Sequence, residues 1–274
     1  MNIKNDNILI IGAGNMGYAF ISALIENKVS PKNIYIIEKK PSARLKKIQK
    51  LKKIKIFNTI NKFEMNIKIS ITILTIKPNQ LGDVFSDELN YKIKNSLIIS
   101  IVAGKTHSTL KKLSKGNKNI ARAMTNTPAA VGWGTSIIYF AKTTTNANKK
   151  RAMHLMNLIG QVEEVKSEKS IDTFTGLFGS GPAYLYLLIE IWSNYAKKNG
   201  FKYAEEMTVQ TILGSILLLL HTKEKPESLR KRVTSKGGTT EAALKELNNN
   251  QKFQKLFEKA ISKAIKKAIT LSKN

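Results

Sequence analysis

The chain contains no cysteine. Disulfide staples, thiolate metal sites and cysteine nucleophiles are therefore excluded, and the absence fits a reducing compartment. Arginine is almost as scarce: Arg44, Arg122, Arg151, Arg230 and Arg232 are the only ones among 46 basic residues. Proteins that read bases and phosphates lean on the planar Arg fork. The net charge of +27, set by 19 acidic residues against those 46, is thus no footprint of a nucleic-acid partner. Its lysines are scattered through every segment instead of forming a stripe, and Lys, Asn and Ile, all with A/T-rich codons, are abundant together. Long apolar runs are missing too. The longest, Ile212–Leu220, is interrupted by Gly214 and Ser215, whereas a membrane-spanning helix needs roughly 20 residues. No charged head followed by an apolar core opens the chain, so neither a secretory leader nor a membrane partner is expected, and the expected location is cytoplasmic. The three histidines, His107, His154 and His221, lie apart, so no metal site is expected either. The two tryptophans, Trp133 and Trp192, read as packing residues.

What is present divides into two textures. In the first, short β-branched runs alternate with amphipathic stretches. Strands are predicted at Ile8–Gly12, Ile34–Glu38, Lys55–Phe57, Ser70–Ile76, Leu97–Val102, Ile120–Met124 and Thr135–Phe140, with helices such as Met16–Asn27 and Ser42–Leu51 between them. That order argues for βαβ units and a parallel sheet whose strands are buried on both faces. A helix over Ala147–Gly160 closes this part. In the second texture helices dominate: Tyr184–Gly200, Ala204–Thr222 and Phe253–Leu271, the last with an apolar stripe opposite its lysines. Leu217–Leu220 is apolar all round, so its helix should be buried either within the domain or against another subunit. The expected architecture is α/β: a Rossmann-like dinucleotide-binding domain over 1–165, then an all-α domain over 166–274.

Chemistry enters with Gly12-Ala13-Gly14-Asn15-Met16-Gly17, between the first strand and the first helix. This is the spacing of a dinucleotide-binding turn: Gly12 for the tight turn, Gly14 for close approach to a pyrophosphate, Gly17 for helix packing. Glu38, at the end of the second strand, stands where a carboxylate takes ribose hydroxyls, which points to NADH. Lys39, Lys40 and Arg44 follow it and can grip a 2′-phosphate, which points to NADPH, so both cofactors stay open. Lys77, in Thr75-Ile76-Lys77-Pro78, is a candidate for the rim of the nicotinamide pocket. Three more motifs are Met124-Thr125-Asn126-Thr127-Pro128-Ala129, Phe178-Gly179-Ser180-Gly181-Pro182-Ala183-Tyr184 and Val233-Thr234-Ser235-Lys236-Gly237-Gly238-Thr239-Thr240. Ser180 and Thr239 can simply cap helices; the last loop can equally cradle a carboxylate on its N–H groups and hydroxyls.

Taken together, in this order and spacing from Ile8 to Leu271, these motifs resemble the pyrroline-5-carboxylate reductases, the enzymes that complete proline biosynthesis. The resemblance implies a homodimer built by interleaved helices, in many relatives assembled into rings, with NADPH or NADH reducing a cyclic imine. It carries Gly12 to Gly17 over as the cofactor loop. Asn58, Lys77, Pro78 and Asn126 join them as residues around the adenosine and nicotinamide. Glu168 is implied on the substrate side. Ser235, Gly237, Gly238, Thr239 and Thr240 are implied as the grip on the substrate carboxylate and ring nitrogen, with Thr240 as the catalytic hydroxyl. Lys231, Arg232 and Lys236 depart from the residues common in relatives. A β-hydroxyacid dehydrogenase of similar layout would carry a catalytic Lys on a helix of its second domain, and no matching constellation accompanies the Gly-Gly-Thr-Thr loop.

Overall fold

The structure, a computed structural model, describes residues 3–63 and 67–273. By packing the chain forms two units: Met1–Ser180 with Ala264–Asn274, and Gly181–Lys263. Residues 166–180 thus pack with the sheet, although their helical texture matches that of the second unit.

The first unit is an eight-stranded sheet: β1 (Ile8–Ile11), β2 (Ile34–Ile37), β3 (Lys55–Phe57), β4 (Ile71–Leu74), β5 (Leu97–Ser100), β6 (Ile120–Thr125), β7 (Gly134–Phe140) and β8 (Gly160–Glu164), in the order β3-β2-β1-β4-β5-β6-β7-β8. The first six strands in sequence pair in parallel, β7 runs antiparallel to β6, and β8 is parallel to β7. Alternate residues of each strand feed different cores. Ile8, Ile10, Ile34, Ile36, Ile71 and Ile73 face α1 (Asn15–Glu26), through Phe20, Ile21 and Leu24. Leu9, Ile11, Tyr35, Leu74 and Ile98 face the other way, into a core with Leu81, Leu89, Ile93 and Leu110. Those residues come from α3 (Leu81–Val84), α4 (Asp87–Ile93) and α5 (His107–Leu113); α2 (Ala43–Lys52) precedes them in sequence, capped by the Ser42 hydroxyl. Two-sided burial explains why these strands are apolar almost throughout, with Thr72 and Ser100 as buried exceptions.

Two expectations are corrected here. The helix placed over Ala147–Gly160 is α6 (Asn146–Asn157), and it is followed by a strand, β8, that the sequence pattern does not predict. β8 is an edge strand whose burial is only partial, and its sequence Gly-Gln-Val-Glu-Glu is correspondingly polar. α7 (Ser170–Phe174) then runs into a π-turn over Thr175–Gly179, closed by the Ser180 N–H donating to the Thr175 carbonyl at 2.9 Å.

The second unit holds α8 (Gly181–Lys198), α9 (Ala204–Thr222), α10 (Pro226–Arg232), α11 (Thr239–Asn248) and the first half of α12 (Lys252–Lys273). Its core is thin. Of the two ways to bury Leu217–Leu220, burial within the domain is the one that fails: Leu217, Leu218 and Leu220 are 54%, 50% and 54% exposed. Leu187, Ile191, Trp192, Leu213 and Phe257 are exposed with them. An apolar surface this extensive marks a protein–protein interface.

Candidate active site

In the sheet order the winding direction reverses between β1 and β4, and in open α/β sheets ligands bind beyond the carboxyl ends of the strands at such a point. A cleft of about 280 Å³ opens there. It is lined by the carboxyl ends of β1 and β2 and by the residues just beyond β1, β2 and β4: Ile11, Gly12, Gly14, Ile37, Glu38, Lys39, Thr75, Ile76, Lys77, Gln80 and Val84.

The Gly-rich turn is built as its spacing requires. Gly12 has φ +90°, and a Cβ there would lie 2.9 Å from the Thr75 carbonyl oxygen. A Cβ on Gly17 would run into the Gly12 carbonyl oxygen and approach Thr75 Oγ1 to 2.7 Å. Around Gly14, in contrast, a Cβ would meet nothing within 4 Å, which leaves the space a diphosphate needs. No side chain caps the start of α1 and no acid occupies its first turn, so the positive end of a twelve-residue helix meets that open space. The site fits a dinucleotide.

Thr75 is a residue that motif spacing undervalues. Its hydroxyl donates to the Gly12 carbonyl at 2.6 Å and lies 3.1 Å from that of Ile11, fastening the turn to the end of β4. A hydroxyl residue ending an apolar strand is the available signal. Glu38 accepts the Ala13 N–H at 2.8 Å on one oxygen and the Lys40 N–H at 3.0 Å on the other. Lys77 lines the cleft, and its N–H donates to the Gln80 side-chain oxygen at 3.1 Å. Asn58 comes directly after β3 and lies beside this region, because the Glu38 N–H donates to the Phe57 carbonyl at 2.9 Å. Asn58, Pro78 and Asn126 are not among the residues lining the cleft. Asn126 ties the end of β6 to two neighbours: its oxygen accepts the Thr135 N–H at 2.9 Å and its amide donates to the Phe178 carbonyl at 3.2 Å.

Glu168, expected on the substrate side, is engaged inside the first unit. Its Oε1 takes Arg122 Nη1 at 2.9 Å and the His107 N–H at 2.6 Å. Arg122, on β6 and 1% exposed, also reaches Asp172 at 3.4 Å, and Asp172 accepts the Ser272 hydroxyl at 2.9 Å. His107 sits beside this cluster, its ring edge-on to Tyr139. Burial pushes its imidazole below the usual pKa, against the pull of the Glu168 charge and with that of Lys111. It is therefore neutral near pH 7 and suited to packing.

In the second unit the Ser235–Thr240 loop leads into α11, for which Gly238 is the N-cap. Among the described residues, no hydrogen bond engages the side chains of Ser235, Thr239 or Thr240, so none of these hydroxyls is spent on capping. Glu241, in the first turn of α11, reaches back to the loop and accepts the Gly237 N–H at 2.8 Å; this bond, with the Lys245 charge, holds the Glu241 carboxyl below its usual pKa. Two of the three cations that depart from the relatives' pattern have local partners. Lys231 pairs with Glu227 at 2.7 Å, and Arg232 pairs with Glu224.

Comparison with known proteins agrees with both halves. The family profile described as pyrroline-5-carboxylate reductase dimerisation matches residues 168–271, and one described as NADP oxidoreductase, coenzyme F420-dependent, matches residues 7–104. The pyrroline-5-carboxylate reductase of Vibrio alginolyticus is 32% identical over 252 residues, covering 91% of this chain and 92% of the relative. That of Synechocystis is 34% identical, covering 86% and 87%. Among solved structures, the Coxiella burnetii pyrroline-5-carboxylate reductase superposes with a TM-score of 0.86 at 32% identity over 98% of this chain and 99% of that one. The Plasmodium falciparum enzyme, solved with NADP bound, gives 0.85 at 25% identity over 99% and 100%.

Proposed function

This chain belongs to the pyrroline-5-carboxylate reductase family, and on that premise we propose how its residues carry out the reduction of L-1-pyrroline-5-carboxylate to L-proline. The observation that carries the reading is the Ser235–Thr240 loop: N–H groups and three uncommitted hydroxyls at the start of a helix, in a chain whose other unit holds a dinucleotide cleft. When bound, NAD(P)H supplies the hydride that adds to the imine carbon.

The rest is positioning. A protonated cyclic imine is already an electrophile, so the protein has to hold it in line with the hydride donor and needs no metal or strong acid for that. The N–H groups of the first turn of α11 and the Ser235 and Thr239 hydroxyls take the substrate carboxylate at the positive end of that helix, while the Gly237 and Gly238 N–H groups, held by Glu241 and by the Ser235 carbonyl, fix the shape of the loop. The Thr240 hydroxyl accepts from the ring N–H and fixes which face of the ring is presented. It remains bonded to the amine as the C–N double bond becomes single. In the other unit, Gly12 to Gly17, Glu38, Lys39 and Asn58 hold the adenosine and diphosphate end of the cofactor. Lys77, Pro78 and Asn126 border the nicotinamide end. Replacement of Thr240 by alanine is expected to lower kcat/KM about a hundredfold with an unchanged melting temperature, and Thr240→Ser to restore most of it. Steady-state kinetics with both variants would expose the proposal if Thr240→Ala kept full activity.

The dimerisation domain and the bare apolar face of α8 and α9 make the protein a homo-oligomer. We take its basic form as a homodimer and place the enzyme in the cytoplasm, which the absence of cysteine supports. Assembly of dimers into rings is the extension we favour. Among the described residues no helix is long and apolar enough to cross a membrane. The double substitution Leu213→Glu/Leu217→Glu should place two charges in the interface and shift the sedimentation velocity to that of a monomer. An unchanged coefficient would move the interface elsewhere.

A further inference from the structure

We propose that this enzyme prefers NADH to NADPH, and that Glu38 sets the choice. The inference rests on the reading of the cleft as the cofactor site of a pyrroline-5-carboxylate reductase. The two dinucleotides differ only at the 2′ position of the adenosine ribose, which in this type of sheet lies over the end of β2. Glu38 is the first residue after β2 and lines the cleft with Gly12 and Gly14.

What decides is how Glu38 is held. One of its oxygens accepts the Ala13 N–H at 2.8 Å and the other the Lys40 N–H at 3.0 Å. The first of these bonds comes from within the Gly-rich turn itself, so the carboxylate is part of the wall the ribose must meet. An ionised carboxylate has about four acceptor sites; with two taken by backbone, the remainder suit a pair of ribose hydroxyls. Pinned at both oxygens, the same carboxylate cannot swing away from a phosphate, and like charges in contact disfavour each other.

The neighbouring cations do not reverse this. Arg44 has the fork that suits a phosphate best. It is turned elsewhere, with Nη2 on the Asn15 side-chain oxygen at 2.9 Å and the guanidinium over the Tyr18 ring at 4.2 Å. Lys40 does not line the cleft. Lys39 does, but as a point charge on a flexible stem beside a fixed carboxylate. A 2′-phosphate would stand between one mobile cation and one immobile anion.

The test is calorimetric titration of the full-length protein with NAD+ and with NADP+, in the absence of substrate. Binding of NAD+ should be tighter by about tenfold or more. Glu38→Ser, which keeps a short donor and acceptor and removes the charge, should close that gap by weakening NAD+ and strengthening NADP+. Equal or tighter binding of NADP+ by the unaltered protein would overturn the proposal. So would an unchanged ratio in a Glu38→Ser variant whose melting temperature is intact. Failure to bind either dinucleotide would overturn both the proposal and the reading of the cleft. Tight binding without turnover of pyrroline-5-carboxylate would instead remove the reductase reading and leave the measured preference standing.

Discussion

Replacing Gly17 by alanine should weaken cofactor binding at least a hundredfold, about 2.7 kcal/mol. The effect is steric and local. The new Cβ would overlap the Gly12 carbonyl oxygen, and that oxygen is the one the Thr75 hydroxyl holds at 2.6 Å. Neither partner is a flexible side-chain end, so relief requires the turn itself to move. Movement there displaces the start of α1, which opens on the free space around Gly14 proposed for the diphosphate. Some stability is lost as well, since overpacking typically costs about 1–3 kcal/mol. Titration with NAD+ or NADP+ reads the affinity, and a melting curve separates it from unfolding. Affinity within a few-fold of the unaltered protein would show that the turn accommodates a side chain.

The second large effect concerns Arg122. Its side chain is 2% exposed and faces Glu168 and Asp172, themselves 28% and 13% exposed. Arg122→Met keeps most of the volume and leaves two carboxylates facing each other with their counter-charge gone. Removing one partner of a buried ion pair costs about 3–5 kcal/mol. Partial exposure of Glu168 places the expected loss near the lower limit, about 3 kcal/mol. The urea midpoint reports it. Adding Glu168→Gln and Asp172→Asn to Arg122→Met should recover part of the loss, because the uncompensated charges disappear with them. If the triple variant is no more stable than the single one, the cluster stabilises through packing and hydrogen bonding, with little role for charge balance.

The sheet is legible in the sequence because its strands are buried on both faces. Ile8–Ile11 is an unbroken apolar run, Ile71–Leu74 and Leu97–Ser100 are broken only by the buried hydroxyls of Thr72 and Ser100, and only the strand ends differ from expectation, by one or two residues. Gly12 and Gly17 are legible because each has a steric requirement that no other residue meets at that point. β8 is not, since an edge strand with polar residues carries neither the continuous run nor clean alternation. Nor is the engagement of Glu168. Its partner Arg122 lies 46 residues away, and no local pattern marks a contact made only when β6 and the segment after β8 meet. The apolar α9 is legible as a buried helix. Which of two burials applies is a property of the assembled protein, and a sequence pattern holds no term for it.

The return of residues 264–273 to the first unit has a consequence for how the protein is made. Domains generally fold as they leave the ribosome, N-terminal first. Here the sheet can pair, but Asp172 cannot receive the Ser272 hydroxyl until the whole of Gly181–Lys263 has been translated. At roughly 5–20 residues per second that is a delay of several seconds. For that interval the nascent sheet lacks its last packing partner, while α8 and α9 emerge with their apolar faces bare. Completion of the first unit and exposure of the assembly surface are thus coupled in time, and the chain is most vulnerable to a chaperone or a protease during that interval.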